Sequence, residues 1–280
     1  MNGVLLLNKP SGMTSFQAVN KCRNILHEKK AGHSGTLDPN ASGLMILFFG
    51  KYTKLVPYCV HDHKHYQASF IMGKKTDTQD IWGNVIDEKE THDHTEEEIQ
   101  HAVNNMLGDI EQIPPMYSAL KKDGHKLYEY ARKGITVERK PRKVYVSYLK
   151  VTHDEKKWHM DAIVSSGTYI RTLIEDFCAS LEEYGCMSAL TRVGIEDLKL
   201  SDAVSLEDVN ENSLLKDPKK ILDPVWHIMP VEQEKEVRNG KALALNETYD
   251  KLILTSMNGE ILASYEKKDD GLYHCVRGLY

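Results

Sequence analysis

The pattern of apolar and polar residues predicts short strands joined by capped helices. Continuous apolar runs of strand length occur at 4–7 and 44–49. Apolar and polar residues alternate over 66–72, which is typical of a strand with one buried face. Two further runs, 144–151 and 158–164, have the lengths and the separation of the two strands of a hairpin.

Three segments carry the signals of helices. Thr14 with Gln17 and Thr95 with Glu98 have the spacing of capping boxes, and Gly185 is a predicted C-terminal stop for a third helix. The predicted buried faces are Phe16, Val19 and Ile25/Leu26 in the first helix, Ile99, Val103 and Leu107 in the second, and Ile170, Leu173/Ile174, Phe177 and Leu181 in the third. Because strands and helices alternate irregularly, the pattern predicts an α+β fold with a mixed α/β sheet.

The pattern changes after Pro230 to short strands around tight turns. Two strand-length runs flank Asn258-Gly259, which is a strong hairpin signal, and a third run follows them. The sequence therefore predicts two domains, a large one at 1–228 and a small all-β module at 229–280.

A glycine-rich loop precedes the apolar run at 44–49. Residues 32–43 hold three Gly and one Pro, so they cannot form a helix or a central strand. His33 and Asp38 lie on this loop, and loops clamped in this way often carry chemistry. Asp is also common in turns before Pro, so the pattern alone leaves Asp38 as either a turn residue or a functional carboxylate.

Composition places the chain among globular proteins. Apolar residues make up 41% of its 280 residues and charged ones 28%, which excludes collagen-like and wholly disordered chains. No apolar stretch reaches membrane-spanning length, and the first residues lack a signal-peptide pattern. Five Cys without a C-x-x-C pair disfavour a disulfide framework and a Cys-rich zinc site. We therefore expect a cytoplasmic protein, and a monomer because no extended apolar surface pattern stands out.

The charge of the chain is divided into blocks. The net charge is −5, but residues 1–75 carry ten Lys/Arg against three Asp/Glu, and residues 119–150 carry the same numbers. Between them, residues 76–118 carry one Lys against eleven Asp/Glu. The second basic block interleaves its cations with tyrosines, which favours phosphate binding over a merely solvated helix. The sequence thus predicts a polarised surface with room for a polyanionic partner.

Arg171 lies at the start of the third predicted helix. A cation in the first turn is unfavourable because it opposes the helix dipole. A solvated side chain would make this cost small. An ion pair with a functional carboxylate would instead hold that carboxylate ionised and oriented. The residues alone leave both interpretations open.

The strongest candidate for metal binding is His61-Asp62-His63-Lys64-His65. Neighbouring side chains on an extended segment point to opposite faces, and no pair of histidines at i, i+4 on a helix supports them. We therefore interpret the segment as a solvated loop and expect no metal site. A His/Asp metallohydrolase built on it is the alternative, and elemental analysis would test it.

Six short motifs are spread along the chain: Asn8-Lys9-Pro10-Ser11-Gly12-Met13-Thr14-Ser15, Gly32-His33-Ser34-Gly35-Thr36-Leu37-Asp38-Pro39, Lys64-His65-Tyr66, Thr76-Asp77-Thr78-Gln79-Asp80, Pro114-Pro115-Met116-Tyr117-Ser118-Ala119-Leu120-Lys121 and Gly167-Thr168-Tyr169-Ile170-Arg171. Through these motifs the chain resembles the TruB family of tRNA pseudouridine synthases over nearly its whole length. The resemblance implies a pseudouridine-synthase catalytic domain on a mixed, largely antiparallel sheet with flanking helices. It also implies an RNA-clamping insertion at about 113–143 and a short C-terminal module of PUA type.

The resemblance further implies roles for single residues. Asp38 is the implied catalytic residue, Arg171 its ion-pair partner and Tyr66 a stacking partner of the target base, while His33 helps to dock the RNA loop. The remaining expected contacts with the RNA or the pocket are Lys9, Asp80, Lys121, Lys122, Arg142, Tyr169 and Leu190.

The implied reaction is the isomerisation of uridine-55 in the T arm of tRNA. The uridine must leave its stack before the base can turn, and the reaction requires neither a cofactor nor a metal. We expect tRNA as the partner, with no membrane, no nucleotide cofactor and no obligatory protein partner. Two alternatives stay open: a guide-RNA-dependent ribosomal RNA synthase, which would need partner proteins, and a non-catalytic RNA-binding protein on the same scaffold.

Overall fold

The computed structural model describes residues 1–59, 62–154, 157–215 and 218–280. The strands are β1 (Gly3–Lys9), β2 (Ala31–His33), β3 (Ser42–Phe49), β4 (His63–Met72), β5 (Lys74–Thr76), β6 (Val85–Glu88), β7 (Gly108–Gln112), β8 (Lys121–Lys122), β9 (His125–Lys126), β10 (Arg142–His153), β11 (Trp158–Ser165), β12 (Gly185–Ile195), β13 (Leu198–Lys199), β14 (Val204–Ser205), β15 (His227–Pro230), β16 (Lys251–Thr255), β17 (Ile261–Lys267) and β18 (Tyr273–Gly278). The α-helices are α1 (Ser15–Ile25), α2 (Glu96–Asn104), α3 (Leu127–Ala131), α4 (Ile170–Ser180) and α5 (Glu234–Arg238). Short 3₁₀ helices lie at Gly50–Tyr58, Leu200–Asp202, Glu211–Ser213 and Pro218–Ile221.

The chain divides into two compact units. The first unit comprises Met1–Pro39, Met45–Val60 and Ser201–Tyr280, and the second comprises Asn40–Leu44 and His61–Leu200. Strand β3 therefore contributes residues to both units. The C-terminal module lies within the first unit, and its boundary near residue 229 stays a prediction.

Buried strands form the centre of the first unit. Strand β1 pairs in parallel with β14, so that Leu7 lies opposite Val204. Strand β2 pairs antiparallel with the end of β3, and Ala31 lies opposite Phe49. The side chains of both apolar runs, 4–7 and 44–49, are buried, so the two predicted strands are confirmed.

Helix α1 begins where the capping box predicts it, but its buried face differs from the predicted one. The Thr14 side chain accepts a hydrogen bond from the amide of Gln17, and the Gln17 side chain accepts one from the amide of Thr14. These two bonds confirm the predicted capping box. The prediction that Phe16 and Ile25 face the core is wrong, because their exposed fractions are 71% and 44%. The buried residues within the helix are Ser15, Ala18, Val19 and Cys22. The helix is thus rotated to place a serine inside and a phenylalanine outside.

The second unit is built on an antiparallel sheet in the order β12-β4-β11-β10-β7. The start of β3 joins β12 in parallel, with Ser42 opposite Thr191, so the sheet is mixed. Helix α4 packs on the sheet through Phe177, whose ring centroid lies 5.9 Å from that of Phe70 on β4. The predicted strand at 66–72, the hairpin of β10 with β11, and the capping box of α2 at Thr95 are confirmed.

Helix α4 ends at Ser180, so the prediction that Gly185 stops it is wrong. Gly185 instead opens β12, where an added Cβ would lie 2.2 Å from Cys178 Sγ. The glycine at this position is required by the close approach of the helix to the strand. Leu107 also departs from its predicted helix face, because α2 ends at Asn104 and Leu107 is 41% exposed.

The C-terminal module contains a four-stranded sheet in the order β15-β16-β17-β18. The turn at Asn258-Gly259 joins β16 to β17, so the predicted hairpin is confirmed. Its core holds Leu252, Leu254, Leu262, Tyr265 and Tyr273, which are fully buried. The prediction of an all-β module is wrong in one respect, because α5 packs its Val237 into this core.

Across the described residues, the structure contains no helix with the length and hydropathy needed to cross a membrane.

Candidate active site

The backbone on both sides of Asp38 is clamped by the N-terminal segment of the first unit. Ser15 Oγ accepts a hydrogen bond from the amide of Leu37 at 2.9 Å and donates one to the Leu37 carbonyl at 3.0 Å. On the other side, the Pro39 carbonyl accepts hydrogen bonds from the amides of Gly12 at 3.0 Å and Met13 at 3.2 Å. Asp38 therefore lies between two residues whose polar backbone groups are held by a buried hydroxyl and a turn.

Lys9 is the centre of this clamp. Its side chain is fully buried, and its ammonium donates to the carbonyls of Pro10 at 2.8 Å, Met13 at 2.7 Å and Pro39 at 3.3 Å. A buried cation is retained only where such partners replace its hydration. The charge of Lys9 is directed inward at the loop that carries Asp38, and its contact with RNA stays a prediction.

His33 lies at the end of β2, next to the same loop. It is paired with Leu47 of β3, and the amide of Ser34 donates to the Ile46 carbonyl at 3.2 Å. The ring is half-buried. The loop thus leaves the sheet from a fixed point at His33 and returns to it at Ser42, where β3 begins.

Arg171 lies in the first turn of α4 and is 4% exposed. Its two terminal nitrogens donate to the carbonyls of Thr78 at 2.8 Å and Tyr117 at 2.9 Å, and Nη1 lies 4.0 Å from Asp80 Oδ2. These contacts exclude the solvated side chain that the sequence left open. The predicted ion pair with Asp38 joins residues of different units and stays a prediction.

The start of α4 is fixed by a buried amide side chain. Gln112 at the end of β7 is 2% exposed; its Oε1 accepts from the Tyr169 amide at 2.8 Å, and its Nε2 donates to the Tyr169 carbonyl at 3.1 Å. Tyr169 occupies the N-cap position and makes no side-chain cap. Gln112 therefore supplies the backbone bonds that position Tyr169 shortly before Arg171.

The turn 77–80 is organised by Asp80, which the sequence placed among the RNA contacts. Asp80 Oδ1 accepts from Thr78 Oγ1 at 2.6 Å and from the Trp82 amide at 3.1 Å. Gln79 extends from the turn to α4, where Thr172 Oγ1 donates to its Oε1 at 2.9 Å. Asp80 thus fixes the shape of the turn whose Thr78 carbonyl accepts a hydrogen bond from Arg171. The contact of Asp80 with RNA stays a prediction.

Tyr66 and Leu190 lie on neighbouring strands of the second unit. Tyr66 on β4 is opposite Arg192 on β12, and Leu190 is opposite Ala68. Tyr66 and Leu190 are each 8% exposed, and both belong to the buried face of their strands. Because residues at i and i+2 share a face, the structure brings the predicted stacking residue and the predicted pocket wall together on one side of the sheet.

Arg192 is the largest fully buried side chain of this sheet, at 1% exposure. Its Nε donates to the Leu44 carbonyl at 2.7 Å, so it ties β12 to the start of β3. Gly43 permits this contact: its φ is +112°, and a Cβ there would lie 2.3 Å from the Arg192 carbonyl oxygen.

Lys64 lies two residues before Tyr66 on the same strand. Burial, with a smaller contribution from the charge of Arg192, lowers the pKa of its ammonium from 10.5 to about 8. Lys64 Nζ donates to Ser166 Oγ at 2.8 Å. The second unit thus holds two cations close to Tyr66, which suits an anionic ligand.

The predicted insertion carries its basic residues at the surface. Lys121 and Lys122 form β8, which pairs with β9, and Lys122 Nζ donates to the Glu138 carbonyl at 2.8 Å. Arg142 is exposed at the start of β10, opposite Gln112. Their contacts with RNA stay predictions.

The candidate metal segment begins at His61, which lies outside the described residues. His65 Nε2 lies 2.5 Å from Asp161 Oδ1, so this ring is engaged in a polar pair. Over 1–59, 62–154, 157–215 and 218–280, no group of three or more His, Cys, Asp or Glu side chains is arranged to hold a metal ion.

Comparison with known proteins identifies the family. The family model described as TruB family pseudouridylate synthase (N terminal domain) matches residues 23–170. A protein of Limosilactobacillus reuteri named tRNA pseudouridine synthase B is 40% identical over 283 residues, which cover 95% of this chain and 94% of that protein. This chain belongs to the TruB family. As a TruB-family pseudouridine synthase it is an isomerase.

Other relatives extend over the same length. A TruB-family protein of Oenococcus oeni with the same name is 37% identical and covers 97% of this chain and 96% of its own. A solved Cbf5-Nop10-Gar1 complex shares the fold with a TM-score of 0.68 at 23% identity, covering 99% of this chain and 85% of the matched one. A solved H/ACA RNP bound to a substrate RNA gives a TM-score of 0.65 at 22% identity, covering 99% and 84%.

Three residues that position backbone segments within their own units received no role from the sequence. They are Ser15, Gln112 and Arg192, and each acts by binding a backbone segment far along the chain. Arg192 carried a signal, because it stands at an inward-facing strand position two residues after Leu190. Ser15 also carried a signal, as the last residue of the motif at 8–15 on which the resemblance rests, although no role followed from it. Gln112 carried none, since a lone polar residue before a double proline has many ordinary explanations.

Proposed function

We propose that this enzyme converts uridine-55 in the T loop of tRNA to pseudouridine, with Asp38 as the catalytic residue. The observation that carries the proposal is the clamp on both neighbours of Asp38, because a catalytic group must be held in place before the substrate binds. The curated relatives that match nearly the whole chain are named tRNA pseudouridine synthase B, which supports tRNA as the substrate.

The proposed reaction is an isomerisation in which all atoms of the nucleotide are retained. The Asp38 carboxylate acts on the ribose, either by attack on C1′ or by first removing a ribose proton, and the N1–C1′ bond breaks. The freed uracil turns and a C5–C1′ bond forms. On the first route the bond between Asp38 and C1′ breaks in this step, and on the second the ribose regains the proton that Asp38 removed. C5 then loses its proton and N1 gains one. A carboxylate suits this role because the reaction requires an ionised group that is aimed at a single position of the ribose.

The other residues prepare the base and the carboxylate. Arg171 is proposed to keep Asp38 ionised, since an opposite charge outweighs the desolvation that would raise the pKa of a buried carboxyl group. Tyr66 is proposed to stack on the uracil as it turns, with Leu190 and Tyr169 beside it. His33 is proposed to occupy the space that the flipped nucleotide leaves in the loop.

The decisive experiment compares the wild-type protein with Asp38→Asn. We expect the variant to form no pseudouridine at position 55 while its affinity for tRNA changes little, because the amide keeps the shape of the side chain and loses the charge. Asp93→Asn, on an exposed residue outside the clamp, is the matched control and should keep full turnover. Turnover by Asp38→Asn at the wild-type rate would contradict the proposal.

The isolated chain should also act on a bare T-arm hairpin. This outcome separates the proposed enzyme from a guide-RNA-dependent synthase, which would need partner proteins and a guide. Activity that appears only after guide RNA and partner proteins are added would favour the alternative. RNA binding without any pseudouridine formation would favour the non-catalytic RNA-binding protein.

A further inference from the structure

Phe16 is the most exposed large apolar side chain in the described part of the chain, with an exposed fraction of 71%. It lies in the first turn of α1, immediately after Ser15. An aromatic ring left in water forgoes the favourable free energy that burial of its apolar surface would provide. Its position therefore calls for a physical explanation.

The clamp on the Asp38 loop explains why Phe16 faces outward. The Ser15 hydroxyl must point inward to reach both polar backbone groups of Leu37. Successive residues of a helix are rotated by about 100°, so fixing Ser15 inside turns Phe16 away from the buried face. The ring is thereby displayed next to the segment that holds Asp38.

The ring is also held on a rigid support. The capping box between Thr14 and Gln17 ties down the first turn on one side of Phe16, and the buried Ala18 and Val19 anchor the helix on the other. Because the backbone that carries the ring is already fixed, a contact costs only the conformational entropy of the Phe16 side chain itself. Phe16 is thus prepared to bind a flat apolar group.

The charge around Phe16 favours nucleic acid as the partner. Over residues 1–27 the chain has no Asp or Glu, and α1 carries an exposed Lys21 and a half-buried Arg23. Lys9 does not add to this surface charge, because it is buried against the loop carbonyls. The first turn of α1 contains no acidic residue, so the partial positive charge of the helix N-terminus adds to the same sign. An aromatic ring in electropositive surroundings is the combination that binds unpaired nucleotides.

We propose that Phe16 stacks on an unpaired base of the substrate RNA and so positions the RNA over the Asp38 loop. This inference rests on the proposed function, because it takes the RNA as the substrate of the Asp38 site. Stacking of one base on an aromatic side chain predicts a roughly 5- to 100-fold loss of RNA affinity on substitution by alanine. Phe16 is a positioning residue, and the bond-making steps do not involve it.

The test measures tRNA binding and turnover for Phe16→Ala, Phe16→Leu and Phe16→Tyr. We expect Phe16→Ala to raise the Kd and the KM for tRNA by that factor while kcat at saturating tRNA stays near the wild-type value. Phe16→Tyr should restore binding because it keeps the aromatic face, and Phe16→Leu should not. Ile25→Ala, at the other end of the same helix and also exposed, is the control and should bind as the wild type does.

Binding is measured a second time in the Asp38→Asn background, where no product forms. This arm separates the two proposals, since it reports on the contact of Phe16 with RNA whether or not Asp38 is catalytic. Equal tRNA affinity of Phe16→Ala and the wild type would overturn the inference, as would full affinity of Phe16→Leu. A fall in kcat together with a lower unfolding midpoint would also overturn it, because a merely structural role predicts that result.

Discussion

The Ser15 hydroxyl binds both polar backbone groups of Leu37, at 2.9 Å from the amide and 3.0 Å from the carbonyl oxygen. The serine is buried, and the leucine directly precedes Asp38. One small side chain thus fixes the direction in which the loop enters the proposed catalytic position. It also sets the rotation of α1 that exposes Phe16.

Ser15→Ala should loosen the Asp38 loop. Two buried hydrogen bonds are lost and the Leu37 backbone groups lose their partner, so we expect a loss of about 1–3 kcal/mol in the free energy of unfolding. Turnover should fall by a larger factor than tRNA affinity, because the two lost bonds hold the Asp38 loop directly, whereas the capping box and the buried Ala18 and Val19 still hold α1. Urea denaturation and steady-state kinetics measure the two effects. Ser180→Ala, which removes an exposed hydroxyl bonded to the Phe177 carbonyl, should leave turnover unchanged.

Lys9→Met should act through the same loop. The substitution keeps a long apolar stem but removes the ammonium that three carbonyls share, and we expect about 2–3 kcal/mol of destabilisation with a fall in kcat. Lys21→Met removes an exposed charge from α1 and serves as the control for stability. A variant that folds and turns over normally but binds tRNA weakly would show that Lys9 contacts RNA after all.

Gly43→Ala should disturb the junction of β3 with β12. The added Cβ would lie 2.3 Å from the Arg192 carbonyl oxygen, at a φ of +112°, so we expect a loss of about 3 kcal/mol or more in unfolding free energy. Gly134→Ala is the matched control, since its φ is +70° and nothing lies within 4 Å of the added atom. That variant should lose only about 1 kcal/mol, the cost of the backbone conformation alone. Equal losses at the two positions would show that the contact with Arg192 is not tight.

Lys64 should make the stability of the protein depend on alkaline pH. Its pKa is about 8 in the folded protein and 10.5 as its ordinary value, so between these values the unfolded chain binds more protons than the folded one. The stability contributed by this group therefore rises as the pH rises from 8 to 10.5, and below pH 8 the folded protein carries the full cost of a partly buried charge. Lys64→Met removes that cost at every pH.

The free energy of unfolding is measured for Lys64→Met and for the wild type at about pH 7 and at about pH 10, and the difference between the two proteins is compared at the two pH values. These pH values lie on either side of most of the titration of Lys64 in the folded protein. The advantage of the methionine variant should shrink at the higher pH, because the wild-type amine is then neutral when folded. Other titrating groups are common to both proteins and cancel in the difference. A difference that stays constant with pH would contradict the lowered pKa.

Local signals in the sequence were sufficient for the elements that begin or turn at a short motif. The capping boxes at Thr14 and Thr95 begin helices where they were predicted, and the hairpin at Asn258-Gly259 forms as predicted. Such signals depend on residues three or four apart, or on the conformational range of one glycine. The motifs around Asp38 and Arg171 were likewise sufficient to indicate the family, because they are short runs of adjacent residues.

The face of α1, the burial of Lys9 and the partners of Arg171 required the tertiary structure. The spacing of apolar residues predicted that Phe16 faces the core. The orientation of the helix depends instead on the Ser15 hydroxyl, which binds the backbone of Leu37, 22 residues away. Arg171 and Arg192 are likewise directed by carbonyls on distant segments, at Thr78 and Leu44. By itself the sequence determined the main strands, the starts of α1 and α2 and the carboxylate to suspect, but not the end of α4 or the presence of α5. The tertiary structure decided which polar side chains are enclosed, because enclosure depends on backbone groups that only folding brings within hydrogen-bond distance.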